Sequence, residues 1–336
     1  MSAPTPPAPT PPAAELHLHV EGTIEAELLV RLAERHDLPL PSRDPAVLRA
    51  RYAHFTDLQS FLDVYYANLA VLRTEEDFHE LATGYLDRAR AAGVRRAEVF
   101  FDPQTHVDHG VPLEAVIRGL SSAFEAAEET HGVSAAMILC FLRDLGPEAA
   151  EEILRAALPF REHFIGVGLD SAEVGYPPSL FTRVYAMAAA EGLHRVAHAG
   201  EEGGPDYVRE ALDLLHVERV DHGIRAMEDP ELVARLREER IPLTVCPLSN
   251  VSLRAVDTLA EHPLPRMLDE GLVATVNSDD PAYFGGYVDA NYRAVERDLG
   301  LDRAGLARLA RNSVDATFAP EEDKRRWRAE VDAWAG

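Results

Sequence analysis

The segment "LVATVNSDDP", residues 272–281, joins a short apolar run to two adjacent aspartates and a proline. The apolar part is rich in β-branched residues, which is typical of a buried strand. Asp279 and Asp280 follow where this strand should end, and Pro281 opens a turn. Adjacent carboxyl groups repel, so one or both pKa values should rise unless a positive group lies nearby. The segment therefore predicts a buried strand whose end carries chemistry.

Seven more segments have the same short apolar pattern, at residues 15–20, 96–102, 135–142, 165–170, 194–199, 217–223 and 242–247. Longer segments with helical patterns separate them, among them 113–131, 147–158, 179–191, 205–215 and 229–239. Strands that alternate with helices predict parallel βαβ units, and eight such units close into a (β/α)8 TIM-type barrel. Residues 25–92 are too many for one crossover helix, so several extra helices are expected between the first two strands. An open, doubly wound sheet is the alternative, but no glycine-rich turn follows the first strand.

Composition places limits on domain organisation and partners. Residues 1–14, "MSAPTPPAPTPPAA", predict a disordered proline-rich tail without the features of a signal peptide, and residues 15–336 predict a single barrel domain. The net charge of −24 argues against nucleic acid and anionic membranes as partners. No apolar run reaches the roughly 18 residues of a membrane span. Cys140 and Cys246, both in apolar runs, indicate a reducing compartment and hence a cytoplasmic protein.

Imidazole and carboxyl groups occur at four of the predicted strand ends. They are His17 and His19, His198 and Glu201, Asp221 and His222, and Asp279 and Asp280. In a (β/α)8 barrel these ends meet at one face, where catalytic groups lie. Buried groups of this kind are costly unless they are partnered, and neutral imidazoles with an ionised carboxylate are suitable Zn²⁺ ligands. Each motif alone has a common structural explanation. Their convergence on one face is what predicts a metal site.

A resemblance to a known family rests on five motifs in this order: "ELHLHVEGT" (15–23), "HAGE" (198–201), "VDHGI" (220–224), "CPLSNV" (246–251) and "NSDDPAYFGGY" (277–287). Together they resemble the adenosine/adenine deaminase family over nearly the whole chain. Members are (β/α)8 barrels that use one Zn²⁺ to hydrolyse the 6-amino group of a purine. The resemblance implies one Zn²⁺ per chain, with His17, His19, His198 and Asp279 as its ligands. It further implies Glu201 as the proton donor to N1, His222 as the residue that orients the attacking water, and Asp280 as the partner of N7.

Two positions bear on which purine is the substrate. Glu21 stands where nucleoside-specific members typically have aspartate, and Glu173 stands where they typically have glycine. We expect Glu173 to bind N3 or N9–H of a free base and to crowd a sugar. These features resemble the adenine deaminase branch, which implies conversion of adenine to hypoxanthine and ammonia in purine salvage. Adenosine and N6-substituted adenines are the alternative substrates.

Two other classes of protein are alternatives. A metal-dependent amidohydrolase with two metals often needs a carboxylated lysine from a middle strand. The sole lysine is Lys324, near the C-terminus, so that arrangement is excluded. A catalytically inactive barrel that binds purine or zinc as a regulator is the alternative outside enzymes. Loss of Glu201 or of a metal ligand would indicate that class, and all of these residues are present.

Overall fold

The computed structural model describes residues 10–52 and 55–336 and contains, within them, an eight-stranded parallel sheet with strands in chain order. The strands are β1 (Ala13–Glu15), β2 (Val94–Phe101), β3 (Ser134–Leu142), β4 (Phe164–Asp170), β5 (His194–Ala199), β6 (Arg219–His222), β7 (Pro242–Val245) and β8 (Val273–Val276). Asp279, just beyond β8, forms a parallel bridge with Leu18. Its N–H donates to the His17 carbonyl at 3.0 Å, which connects the last strand to the first. The predicted (β/α)8 barrel is confirmed.

Sixteen α-helices occur in the described residues, and four of them lie between β1 and β2. They are α1 (Ala26–Arg35), α2 (Pro45–Tyr52), α3 (Leu58–Leu69), α4 (Glu75–Ala92), α5 (Pro103–Asp108), α6 (Leu113–Glu125), α7 (Ala127–His131), α8 (Pro147–Ala157), α9 (Thr182–Ala190), α10 (Pro205–Glu210), α11 (Pro230–Glu239), α12 (Pro247–Ser252), α13 (Leu264–Asp269), α14 (Val288–Leu299), α15 (Arg303–Asp315) and α16 (Glu321–Ala335). Among the described helices, none has the length and apolar character needed to cross a bilayer.

The first strand differs from its prediction. Regular pairing covers only Ala13–Glu15, because the Leu16 N–H donates to the Asn277 side chain at 2.9 Å instead of to a strand backbone. Residues 13–14, which were assigned to the tail, are buried in this strand. The Ala14 N–H donates to Ser313 Oγ of α15 at 3.0 Å. Small apolar residues fit this close contact, although their composition resembles the tail. Residues 10–12 of the predicted tail are also buried or half-buried, and residues 1–9 lie outside the described residues.

The barrel interior is closed beneath the C-terminal strand ends. Glu98 and Arg219 form a fully buried ion pair on β2 and β6. Phe100 packs in a small apolar cluster with Ile138, Cys140 and Val196, and its ring lies 5.2 Å from the His17 ring. This packing leaves the C-terminal end of the barrel as the place where the polar groups meet.

Candidate active site

The polar residues predicted at the strand ends come together at this end of the barrel. Ligand atoms of His17, His198, His222 and Asp279 lie within 4.8 Å of one another, and all four residues are buried. His19 Nε2 lies 3.3 Å from His198 Nε2 and 3.5 Å from Asp279 Oδ1. His17 Nε2 lies 3.3 Å from the same Asp279 oxygen. One carboxylate oxygen therefore faces two imidazole nitrogens, and a third imidazole lies beside them.

These distances match a tetrahedral ion site. Ligands about 2.0–2.1 Å from a central Zn²⁺ lie about 3.3–3.4 Å from each other in a tetrahedron. The observed separations among His17, His19, His198 and Asp279 are 3.3, 3.3 and 3.5 Å. His17 Nε2 is buried and has no hydrogen-bond partner among the described residues. The donor set and its spacing therefore fit a divalent metal.

The second nitrogen of each imidazole faces an oxygen. His17 Nδ1 lies 3.0 Å from Thr244 Oγ1, whose hydroxyl in turn donates to Asp221. His19 Nδ1 lies 3.4 Å from Asp170 Oδ2, and His198 Nδ1 lies 3.8 Å from Asp221 Oδ2. Oxygens at Nδ1 favour the tautomer with hydrogen on that nitrogen, which leaves the Nε2 lone pair for a metal.

The adjacent aspartates differ in charge because their surroundings differ. Burial opposes ionisation of Asp279, but His17, His222 and His19 together hold its pKa well below the ordinary value. Burial and the neighbouring Asp279 raise the pKa of Asp280 well above the ordinary value. The site therefore favours the ionised form of Asp279 and the protonated form of Asp280. Asp279 also has φ +64°, in the left-handed region that non-glycine residues rarely adopt and that is common at functional sites.

Glu201 is buried beside His222. Burial, then Asp279 and Glu173, raise the pKa of Glu201 well above its ordinary value. Its Oε2 lies 3.4 Å from His222 Nε2, and its Oε1 accepts from Asn250 at 3.3 Å. Burial lowers the pKa of His222 well below the ordinary value. These surroundings favour a protonated Glu201 and a neutral His222, a combination that suits acid catalysis.

A cavity opens onto these groups. Helix α3 contributes much of its apolar wall, with Leu58, Phe61, Leu62, Tyr65 and Tyr66 among the lining residues. Polar lining comes from His19, Asp102, Asp170, Ser171, His198, Glu201, His222, Asp279 and Asp280. An apolar, partly aromatic wall facing polar groups is a typical small-molecule site.

Asp102 and Asp170 were not identified from the sequence as site residues. They follow or end β2 and β4, and they are buried at the cavity. Burial and the adjacent Asp170 raise the pKa of Asp102 well above its ordinary value. Asp102 Oδ1 and both oxygens of Asp170 have no conventional hydrogen-bond partner among the described residues. Their position as strand-final aspartates, in "FFD" and "GLD", was the available signal.

Glu173 binds backbone groups in the structure. The sequence predicted that it contacts the substrate, but it is absent from the cavity lining. Its Oε1 accepts from the Gly200 N–H at 2.7 Å. Its Oε2 accepts from the N–H groups of Glu201, Glu202 and Gly203 at 3.1, 2.8 and 3.0 Å. Because a buried carboxylate needs donors, it binds this run of backbone N–H groups, and both of its oxygens are occupied.

A buried arginine, also missed from the sequence, holds the same region. Arg143 donates from Nη1 to the His198 carbonyl and from Nε to the Tyr176 carbonyl, each at 2.9 Å. Around the "HAGE" loop, Glu173 thus accepts from backbone N–H groups and Arg143 donates to backbone carbonyl groups. The loop that carries His198 and Glu201 is therefore fixed by two charged side chains.

Comparison with known proteins agrees with this geometry. The family model described as adenosine deaminase matches residues 12–334. An adenine deaminase of Streptomyces coelicolor is 59% identical over 325 residues, covering 96% of this chain and 95% of its own length. The crystal structure of adenine deaminase from Arthrobacter aurescens has a TM-score of 0.95 at 55% identity, covering 96% of this chain and 99% of that one.

A more distant structure carries information on the metal. It is an amidohydrolase from Burkholderia ambifaria with bound Zn, 31% identical with a TM-score of 0.89, covering 96% of this chain and 91% of that one. Fold, site and comparisons together define a hydrolytic aminohydrolase built on a (β/α)8 barrel. The chain belongs to the adenosine deaminase family, and within it to the adenine deaminase branch.

Proposed function

We propose that this protein is a zinc-dependent adenine deaminase that converts adenine and water to hypoxanthine and ammonia. The observation that carries the proposal is a buried Glu201 with a raised pKa beside a cluster of histidines and an aspartate that can hold a metal, in a cavity with an aromatic wall. Relatives named adenine deaminase, 55–59% identical over nearly the whole chain, support adenine as the substrate. An inactive regulator would not need an acid held in this state beside the metal site.

We assign one Zn²⁺ per chain to His17, His19, His198 and Asp279. Support comes from their spacing, from the unpartnered His17 Nε2 and from the Zn-bound structure of the relative at 31% identity. When bound, zinc supplies Lewis acidity that makes hydroxide available near neutral pH. His222 is left out of the ligand set because its Nε2 faces the other Asp279 oxygen, at 3.8 Å, and Glu201.

The remaining site residues move or hold protons. Glu201 donates its proton to N1 of the purine, which withdraws electron density from C6 and makes that carbon open to attack. His222 faces Glu201 and Asp279 and orients the attacking water. Asp280, protonated beside ionised Asp279, donates a hydrogen bond to N7. Loss of the 6-amino group as ammonia then leaves hypoxanthine.

Two features favour a free base over a nucleoside. Asp102 Oδ1 and Asp170 Oδ1 lack conventional partners among the described residues and can accept an N–H from the imidazole ring of adenine, where a nucleoside carries its sugar instead. Glu21, at the position that binds ribose in nucleoside-specific relatives, is bound elsewhere. It accepts from the Asp102 N–H at 3.1 Å and lies 3.0 Å from His106 Nε2. The sugar of a nucleoside would therefore meet the carboxyl groups of Asp102 and Asp170, and Glu21 is not free to bind it.

The test is ultraviolet measurement of deamination by the zinc-loaded protein, with adenine, adenosine and N6-methyladenine offered in turn. We expect kcat/KM for adenine to exceed that for adenosine by at least about 100-fold, because buried carboxyl groups left unpaired strongly disfavour the wrong substrate. Metal analysis should give one zinc per chain. Equal or greater activity on adenosine would overturn the choice of substrate, and no ammonia from any purine would overturn the enzymatic proposal.

We further propose that the protein works in the cytoplasm in purine salvage, with a small purine as its partner. Cys140 and Cys246 are both free and buried, which fits a reducing compartment. Fractionation of cells followed by immunodetection tests the location, and recovery of growth on adenine as purine source tests the role.

A further inference from the structure

A single side-chain amide contacts both Glu201 and His222. Asn250, in α12, is fully buried. Its Nδ2 lies 3.3 Å from Glu201 Oε1 and 3.2 Å from His222 Nδ1. Its Oδ1 lies 3.2 Å from His262 Nε2. His262 is also buried, and its Nδ1 accepts from the Leu264 N–H at 3.1 Å. These contacts form a continuous chain from a backbone N–H to the two groups that face the cavity.

The direction of every hydrogen bond in this series follows from the first donor, which is the Leu264 N–H. A backbone N–H can only donate, so His262 Nδ1 must be the acceptor and carries no hydrogen. Burial lowers the pKa of His262 to about 4, so the ring is neutral and its hydrogen is on Nε2. Nε2–H then donates to Asn250 Oδ1. This bond determines the orientation of the amide, because the opposite orientation would place two donors against each other.

The oriented amide in turn determines where two hydrogens lie. Asn250 Nδ2 can only donate, so Glu201 Oε1 and His222 Nδ1 both accept from it. A protonated Glu201 must then carry its hydrogen on Oε2. A neutral His222 must carry its hydrogen on Nε2. These two atoms lie 3.4 Å apart, on the side away from Asn250.

We propose that Asn250 and His262 are positioning residues that fix the Oε2–H of Glu201 and the Nε2–H of His222, so that both groups present a hydrogen to the reacting purine and water. The inference rests on the proposed function for the roles of Glu201 and His222. His222 then acts as a hydrogen-bond donor at Nε2 and does not take the proton of the attacking water there. Ionised Asp279, whose Oδ2 lies 3.8 Å from that nitrogen, is the remaining acceptor.

The first variant is Asn250→Asp, which keeps the shape of the side chain and replaces both donated hydrogens by an acceptor. We expect kcat for adenine to fall by about 100-fold or more, as expected when a positioned acid is lost. Zinc content and the inhibition constant of hypoxanthine should stay at the wild-type values. The control is Asn312→Asp on α15. The half-buried side-chain amide of Asn312 donates to the Ala274 carbonyl at 2.8 Å. Normal turnover by Asn250→Asp would overturn the proposal.

A pair of variants at His262 separates positioning from support of the fold. In His262→Gln the side-chain amide reaches the position of Nε2 and can donate to Asn250, but the Leu264 N–H loses its partner. In His262→Asn the side-chain oxygen reaches the position of Nδ1 and keeps the Leu264 bond, but nothing donates to Asn250. We expect kcat to be higher in His262→Gln than in His262→Asn. The opposite order, at equal zinc content, would show that His262 acts only through the backbone bond.

A spectroscopic readout is independent of turnover. In the zinc-loaded protein with ¹⁵N-labelled histidine, the His222 signals should show an unprotonated Nδ1 and a protonated Nε2, and Asn250→Asp should move the hydrogen to Nδ1. We call the chain of hydrogen bonds from the Leu264 N–H through His262 and Asn250 the relay. Signals of the opposite His222 tautomer in the wild type would refute the relay. If the wild type does not deaminate adenine but shows the expected tautomer, the proposed function fails and the relay stands. If it deaminates adenine with the opposite tautomer, only the relay fails.

Discussion

Glu173→Gln provides the sharpest test of how the proton donor is held. The substitution keeps the volume of the side chain and replaces a charged group with two acceptor oxygens by a neutral one with a single oxygen. In the structure the two oxygens accept four backbone N–H groups, one on Oε1 and three on Oε2. Whichever way the new amide turns, at least one of these N–H groups faces the NH₂ group and loses its partner, and the smallest loss is that of the Gly200 N–H alone.

The magnitude follows from these four bonds. If the amide oxygen stays with the three N–H groups on Oε2, each bond changes from charge-assisted to neutral, at about 1 kcal/mol apiece. The unsatisfied Gly200 N–H adds about 1–3 kcal/mol. The loop that contains Glu201 is therefore destabilised by about 4–6 kcal/mol in the native geometry. It should shift to a new position that recovers part of this lost hydrogen-bond free energy. Misplacement of a catalytic group by about 1 Å lowers the rate by about 100-fold.

The assay separates this effect from loss of a substrate contact. We expect kcat for adenine to fall by about 10–100-fold, with the inhibition constant of hypoxanthine and the zinc content unchanged, because Arg143 still holds the His198 carbonyl. Glu151→Gln is the matched control, since it removes a buried glutamate that pairs with Arg155 and Arg183 away from the cavity. That variant should lose stability and keep its kcat. Weaker hypoxanthine binding with normal kcat in Glu173→Gln would refute our reasoning and restore Glu173 as a substrate contact.

Three further predictions follow from the site. His17→Ala should lose zinc together with activity, because Nε2 is a ligand atom with no other partner in the described residues; one zinc per chain by mass spectrometry would contradict this. Glu201→Gln should keep zinc and bind hypoxanthine normally while kcat falls by about 100- to 10,000-fold; near-normal turnover would mean that another residue protonates N1. The third concerns pH. Burial lowers the pKa of His262 to about 4 in the folded state, whereas the unfolded chain takes up that proton near pH 6.5. The free energy of unfolding should therefore fall by about 3 kcal/mol between pH 6.5 and pH 4, relative to His262→Gln. Equal pH dependence of the two proteins in denaturant titrations would contradict it.

The fold was predictable because each strand is a short apolar run and each is separated from the next by a helical pattern. All eight predicted strands overlap strands or bridges of the structure, and β5 has the predicted bounds. The error at β1 has a physical cause. Asn277, from the segment after β8, replaces a backbone partner of Leu16 with its side chain. No local pattern in residues 10–20 can reveal a partner that lies 261 positions away in the sequence.

The candidate site was predictable only where the fold itself brings residues together. Histidines and aspartates at strand ends converge in any barrel of this type, so the candidate metal ligands could be found as a group. Asn250 and Arg143 could not be found in that way, because their function depends on the direction of a side chain and not on a strand end. The backbone contacts of Glu173 could not be found for the same reason. Its carboxylate points toward the backbone of residues 200–203, and the sequence contains no measure of that direction.

The two adjacent aspartates illustrate why composition alone cannot assign charge. Side by side they should repel, yet the backbone at Asp279 takes a left-handed turn and places the two carboxyl groups in different surroundings. Asp279 faces imidazoles, whose attraction outweighs its burial. Asp280 lies against Gly22, where a Cβ would stand 2.1 Å from Oδ1, and it has no cation to favour ionisation. The charge is thus carried by the aspartate that can hold a metal, and the proton by the aspartate that can donate to a purine. One ionised carboxylate, that of Asp279, accounts for both roles. Its negative charge favours the protonated form of Asp280, which can then donate a hydrogen bond.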